Sequence, residues 1–213
     1  NKFARPKKKL IMRLNALAVA LLLLPVVGSA QFSHLEVEPV DNNGSVSGNT
    51  YRVYAVMESE GDVIDAIFGE AGKSLYIRST KPFYQHPRGG ELASQVQRFD
   101  VENDATLAFD TWVTIGLEDN YMNSLTGFLM DFTEFEKGNA LETDNGAWFV
   151  TPDKRQALAP ADKRILVAQL TSTGQITGMI NIHGRTKATQ KDDGTIEGGN
   201  MIQAEGVTFS CGQ

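Results

Sequence analysis

From residue 50 onward, apolar and polar positions alternate with a period of two, the spacing that sends successive side chains to opposite faces of a strand. Seven stretches carry it: "TYRVYAVM" (50–57), "SLYIRS" (74–79), "TWVTIGL" (111–117), "AWFVT" (147–151), "ILVAQLT" (165–171), "ITGMINIHG" (176–184) and "MIQAEGVTFS" (201–210). Each is short, rich in β-branched and aromatic residues and bounded by turn residues. The "STG" at 172–174 predicts a tight hairpin, and "DDG" at 192–194 predicts another at the tip of the polar, projecting segment 186–200. Helical spacing is weak. Only "MDFTEFEKG" (130–138), stopped by Gly138, and "DKRQALAPADK" (153–163), broken by Pro160, predict a turn or two of helix. The pattern predicts an all-β fold, an antiparallel β-sandwich or jelly-roll-like barrel with at most one or two short helices. Its core should hold Tyr51, Val53, Leu75, Ile77, Trp112, Val113, Ile115, Trp148, Phe149, Ile165, Val167, Leu170, Ile180 and Ile182, with Thr114 pointing away from its neighbours.

One stretch breaks the alternation. Leu14 to Val27 is an apolar run of fourteen residues behind Lys7, Lys8, Lys9 and Arg13. A membrane-spanning helix needs roughly 20 apolar residues, so the run is too short to be an anchor. The basic flank, the run and the small residues Gly28-Ser29-Ala30 have the form of a secretory signal, with Met12-Arg13 as a candidate opening. We expect residues 1–30 to be removed before Gln31, leaving one secreted domain, 31–213, extracellular or periplasmic and free of the membrane. His34, just past the cut, is expected in a mobile segment.

Removal of the leader shifts the charge. The chain holds 20 basic and 26 acidic residues, and six of the basic ones lie in the first 30. Residues 31–213 therefore carry 14 basic against 26 acidic, a net of −12. Such a surface repels phosphate backbones and argues against nucleic acid as a partner. About 180 residues suit one domain with a sizeable core. Cys211 is alone, so no intramolecular disulfide forms, and it reads as an unpaired thiol at a strand end.

The motifs that carry chemistry are weak. "GEAGKS" (69–74) ends like a phosphate-binding loop but has Ile67 where the first glycine belongs, and it leads into a strand pattern; a turn between strands fits better. No G-x-S-x-G occurs, and three scattered histidines make no zinc set. The loop "FYQHPRGG" (83–90) combines rings, an imidazole, a guanidinium and a glycine pair, which makes Tyr84, His86 and Arg88 the candidate binding residues. Asp100, Glu102, Asp104, Asp110, Glu118 and Asp119 crowd one stretch and are the candidate metal ligands. No organic cofactor is expected; Ca2+, a hard cation taking oxygen ligands, is the metal such a set would hold. An EF-hand loop starting at Asp41 fails because Val46 replaces its glycine. Trp112 and Trp148 could stack on sugars, yet both lie in apolar strand runs and read as core.

Five of these stretches, "YRVYAVM", "FYQHPRGG", "FDTWVTIG", "GAWFVTPD" and "ILVAQLTSTGQITGMINI", follow one another between residues 51 and 182. In that order they resemble a β-rich domain of secreted and surface proteins from environmental, often marine, bacteria, for which no activity is assigned. The resemblance implies secretion and β architecture and transfers no mechanism. The expected function is a secreted, non-catalytic module for extracellular binding or surface structure, its partner a polysaccharide or another surface protein. The alternatives are a secreted hydrolase acting on polysaccharide or ester substrates, or a carbohydrate-binding module.

Overall fold

A computed structural model describes residues 32–212, so the expected leader and its cleavage site lie outside the described residues. In chain order the strands are β1 (Phe32–Val40), β2 (Asn49–Met57), β3 (Val63–Gly69) and β4 (Leu75–Ser79), then β5 (Trp112–Val113), β6 (Thr126–Phe128), β7 (Leu141–Thr143) and β8 (Gly146–Phe149). They continue as β9 (Arg164–Ser172), β10 (Ile176–Arg185), β11 (Thr189–Gln190), β12 (Ile196–Glu197) and β13 (Met201–Cys211); the one α-helix among the described residues, α1 (Arg98–Asn103), is six residues long. Two antiparallel sheets make an all-β sandwich. The first runs β1-β2-β9-β5, and the second is built on β10. β13 pairs along one side of β10, while β4 and β3 share its other side end to end, β4 against Ile176–Met179 and β3 against Asn181–Arg185. β8 and β6 extend the sheet beyond β3, and β7 extends it beyond β4.

The period-two pattern buries what it should. Twelve of the fourteen predicted core residues are buried, and Tyr51 and Phe149 are half-buried. Val53, Ile165 and Leu170 from the first sheet meet Ile77, Trp148, Ile180 and Ile182 from the second in one continuous cluster, where each large side chain contributes about 1.5–3 kcal/mol relative to exposure. Trp148 also donates its indole N–H to the Thr114 carbonyl at 3.0 Å, which settles the polar end of a ring in the core. Val113 and Ile115 join this cluster while Trp112 faces the other way, into a smaller one with Val96, Leu107 and Leu166. Thr114 is buried as well, its hydroxyl bonded to the Leu117 carbonyl.

The smaller cluster exists because the chain between β4 and β6 crosses the outer face of the first sheet as a strap. β9 is therefore covered on both faces, which is why "ILVAQLT" reads almost continuously apolar. Its buried polar residues are satisfied by the strap: Gln169 donates to the carbonyls of Ala108 and Asp110, both at 2.9 Å, and the Thr171 hydroxyl donates to the Phe109 carbonyl at 2.7 Å.

Four expectations need correction. Residues 172–174 do turn, but β9 and β10 belong to different sheets, so the link is an arch across the sandwich and not a hairpin. The Ser172 hydroxyl ties it down through Ser79, Lys81 and Pro82, at 2.8–3.1 Å. His34 does not lie in a loose segment; it sits in β1, paired with Val56 of β2. The two helical stretches shrink to single 3-10 turns, Phe135–Lys137 and Arg155–Ala157, because Gly138 at φ 85° ends the first and both are anchored by buried side chains, not by helical length. The strand at 111–117 keeps regular register with β9 only at Trp112–Val113, although the Thr114 and Gly116 N–H groups still bond Val167 and Leu166; Gly116, at φ 81°, lets the backbone pass so close to the Gln156 carbonyl that a Cβ would collide. The Asp192–Gly194 turn does close a small β11–β12 hairpin, and Glu70–Lys73 is the expected turn between β3 and β4.

Candidate functional site

The strap brings the predicted loop residues and half of the predicted carboxylates together. Asp110 is fully buried at the start of β5 and accepts the backbone N–H groups of His86 at 2.7 Å and Gly90 at 3.0 Å. Gly89 passes so near its carboxylate that a Cβ there would overlap it, the physical use of the glycine pair. Burial pushes the Asp110 carboxyl up to about 6, against the pull of those amides. His86 is itself buried; its Nδ1 accepts the Arg88 backbone N–H at 3.1 Å, so in the neutral ring the proton sits on Nε2, facing Asp104 at 3.2 Å. Arg88 also donates to Asp104 at 2.7 Å and lies 3.6 Å from Asp100. The Thr106 hydroxyl and Arg88 hold the Asp104 carboxyl well below the usual carboxylate range. Tyr84 is half-buried with its N–H on the Thr171 carbonyl at 2.8 Å, and neighbouring Phe83 packs edge-on against Phe135.

This node is closed. Both nitrogens of His86 are engaged, which leaves none to take a proton from a substrate. The remaining candidate ligands scatter: Glu118 pairs with Arg52, Asp119 with Arg98 at 2.7 Å, and Glu102 is exposed on α1. Among the described residues no group of three or more His, Cys, Asp or Glu is arranged to hold a metal ion. Cys211 is free and half-buried at the end of β13, where burial pushes its thiol up to about 12.

Beside the node lie Glu91 and Glu136; the sequence places Glu136 with Asp131 and Glu134 on a solvated face and gives no sign that it meets Glu91. Glu136 follows the buried Phe135, and one of its oxygens is buried without a hydrogen-bond partner. Burial, then contact with the Glu91 carboxyl, pushes Glu136 up to about 7. Burial and the neighbouring Glu91 carboxyl thus favour the protonated form of Glu136.

A different region is open. At the end of the sandwich where β2 and β10 finish and β3 and β9 begin, loops enclose a groove of about 1360 Å³. Its lining includes Arg98, Lys154, Arg155, Arg164, Arg185 and Lys187, with Glu60 as the one acid among the described residues. Six of the 14 basic residues in 31–213 thus line it, against one of the 26 acids. Four of these cations are paired with acids: Arg98 grips Asp119 with two bonds (2.7 and 3.1 Å), Arg185 holds Asp65 at 3.1 Å, Arg164 meets Glu36 at 3.0 Å and also Glu38, and Lys154 lies 3.6 Å from Asp153. Arg155 and Lys187 are exposed and join no ion pair among the described residues.

The groove also has a ring at its lip. Tyr121 and Met122 are 58% and 78% exposed, on a loop fastened from below. Asp119 accepts the Tyr121 N–H at 2.8 Å, Asn123 donates to the Asp119 carbonyl at 2.9 Å, and the Asn120 N–H bonds the Val96 carbonyl at 2.9 Å. Arg98 stacks on the Tyr121 ring, 4.5 Å from its centroid. Met122 takes φ 54°, a left-handed conformation uncommon for a bulky residue, which a pinned loop imposes. Buried Gln156 ties this loop to the opposite wall, donating to the Ile115 carbonyl and to Asn123 and accepting the Ser124 N–H, all within 2.8–2.9 Å. Asp119, a predicted metal ligand, serves here to position Arg98 and Tyr121. None of the groove cations was read from sequence as a site residue, because they are spread from 98 to 187 and no local motif joins them. Trp112 and Trp148, the sequence's sugar-stacking candidates, are both buried and present no face to solvent. No family model, curated protein or solved structure matches the chain.

Proposed function

We propose that the protein is a secreted, non-catalytic β-sandwich module that binds an extracellular ligand through the groove at the β3/β9 end of the sandwich. The observation that carries this reading is the charge asymmetry: six cations and one acid line the groove of a domain whose residues 31–213 are strongly acidic. A bound ligand would meet a pinned ring, an apolar floor that includes Leu158 and Ile165, and polar heads already oriented, the composition of a binding cleft. The test is a screen of the full chain against an array of extracellular glycans and surface polymers, repeated with Tyr121→Ala. Ligands bound equally well by the variant would place the site elsewhere and remove this reading. Secretion has its own check: mass spectrometry of exported protein should find a chain beginning at Gln31.

The carboxyl pair favours one second reading, a hydrolase in which Glu136 donates its proton to a leaving group and Glu91 takes the partner role. Neither residue lines the groove. Turnover of chromogenic glycosides or esters, lost in Glu136→Gln, would establish it.

A further inference from the structure

We infer that the groove takes an anionic polysaccharide chain, one bearing carboxylate or sulfate groups; this rests on the groove being the binding site. Charge supplies the first argument. Among the described residues Arg155 and Lys187 join no ion pair, while Arg98 and Arg185 are paired with Asp119 and Asp65, and Arg164 with Glu36 and Glu38. A guanidinium has five donors, so an arginine gripped on one edge still offers N–H groups on the other. The paired arginines therefore lose little side-chain entropy on meeting an anion, and Arg155 and Lys187 add unpaired charge beside them.

Ring chemistry supplies the second. Tyr121 is exposed, flanked by Met122, and locked by Arg98 and Asp119. A pyranose presents an apolar C–H face and a polar edge on one rigid unit, which matches a fixed phenol beside fixed cations. An acidic peptide fits less well. The common way for a sandwich to hold an extended peptide is to add it as a strand, and that needs free backbone N–H and C=O groups. Here several wall N–H groups are already taken: the Gly61 N–H bonds Ala159, the Ala159 N–H bonds Asp62, the Gly116 N–H bonds Leu166, and the Thr186 N–H bonds Asn200. Recognition is left to side chains, the means by which a charged sugar is read.

The test is titration calorimetry of the full chain at about 0.1 M salt, where the screening length is near 10 Å, with polygalacturonate, dextran sulfate, neutral dextran and polyglutamate as probes. Binding of polygalacturonate, dextran sulfate or both is expected, and which one binds tells carboxylate from sulfate. The double variant Arg155→Glu/Lys187→Glu should weaken it at least about tenfold, since two attractive contacts become repulsive. Lys81→Glu, an exposed cation away from the groove, should change it less than about twofold. Both variants alter exposed side chains, and unchanged melting curves confirm that they fold. Neutral dextran bound as tightly, and lost with Tyr121→Ala, would overturn the anionic class while leaving the groove as the binding site. Polyglutamate bound as tightly as the sugars would overturn the saccharide assignment. No binding to any of the four overturns the inference and returns the proposed function to the wider screen.

Discussion

The strap node around Asp110 and the groove around Tyr121 hold similar residue types and use them in opposite ways. In the node, His86, Asp104 and Asp110 spend their polar atoms on one another's neighbours and on the backbone, and only Arg88 keeps an exposed edge. In the groove, Asp119 and Asp65 each hold an arginine, and two further cations join no ion pair among the described residues. Where the hydrogen bonds close on themselves, polar residues build the fold. Where they stop short of closing, the remaining donors face whatever enters from solvent. Residue type does not separate these cases; the completeness of bonding does.

The contrast can be broken most forcefully at the two rings. Trp112→Ala, in the cluster beneath the strap, should cost about 3–5 kcal/mol, whereas Tyr121→Ala, exposed at the groove, should stay within about 0.5 kcal/mol. Chemical denaturation measures both, and a similar loss in the two would erase the distinction. Next comes Asp110→Ala, which leaves the His86 and Gly90 amides buried without an acceptor. We expect a loss of about 1–3 kcal/mol, read from the same curves. A wild-type result would mean that water replaces the carboxylate and the node is not closed.

The third expectation concerns pH. Asp110 and Glu136 are held above their ordinary values of 3.8 and 4.5, at about 6 and about 7. The folded chain therefore keeps protons that the unfolded chain has released. The stability from these groups is full below about pH 4 and is lost as pH rises through 6 and 7. Asp104, shifted downward, acts in the opposite sense, and only in strong acid. Melting temperature should thus decline between about pH 4.5 and 7.5. Glu136→Gln should flatten the upper part of that decline, a difference of about 1 kcal/mol once partial exposure is allowed for. A slope identical in the variant would mean that Glu136 is not held protonated by the fold. The smallest effect is expected from calcium. Asp100 and Asp104 face Arg88, Glu118 faces Arg52 and Asp119 faces Arg98, so a cation would have to displace an arginine each time. Melting curves in calcium and in chelator should coincide within about 1 °C, because a site binding no better than its ligand concentration adds little by mass action. A rise of several degrees would restore the metal reading.

Legibility followed range. β2, β9, β10 and β13 were visible because each is long enough to show its own period. β3 was missed: Val63–Gly69 is a central strand buried on both faces, so the alternation that marks a strand is absent. β1 was missed because its partly exposed, acidic pattern resembles a loose terminus until its pairing with β2 is known. Asn181 shows the same limit in one residue. It sits at the irregularity between Ile180 and Ile182, fully buried, donating to the carbonyls of Phe68 and Lys73 and accepting the Gly206 N–H, and no neighbour in sequence announces those partners. The "FYQHPRGG" loop was recognised as unusual from its composition, but whether its histidine faced ligand or core depended on Asp104 and Asp110, about twenty residues away.

The sequence by itself determined that this chain makes strands, which of their residues turn inward and that its sheets are antiparallel, since alternation, β-branching and turn chemistry act within a few residues of each other. Only the tertiary structure decided that β9 and β10 part into different sheets, that a strap covers β9, and that six cations scattered over ninety residues meet at one groove. Those outcomes depend on which surfaces find each other when the sheets pack, a matter of shape and bonding between distant segments that no local period encodes.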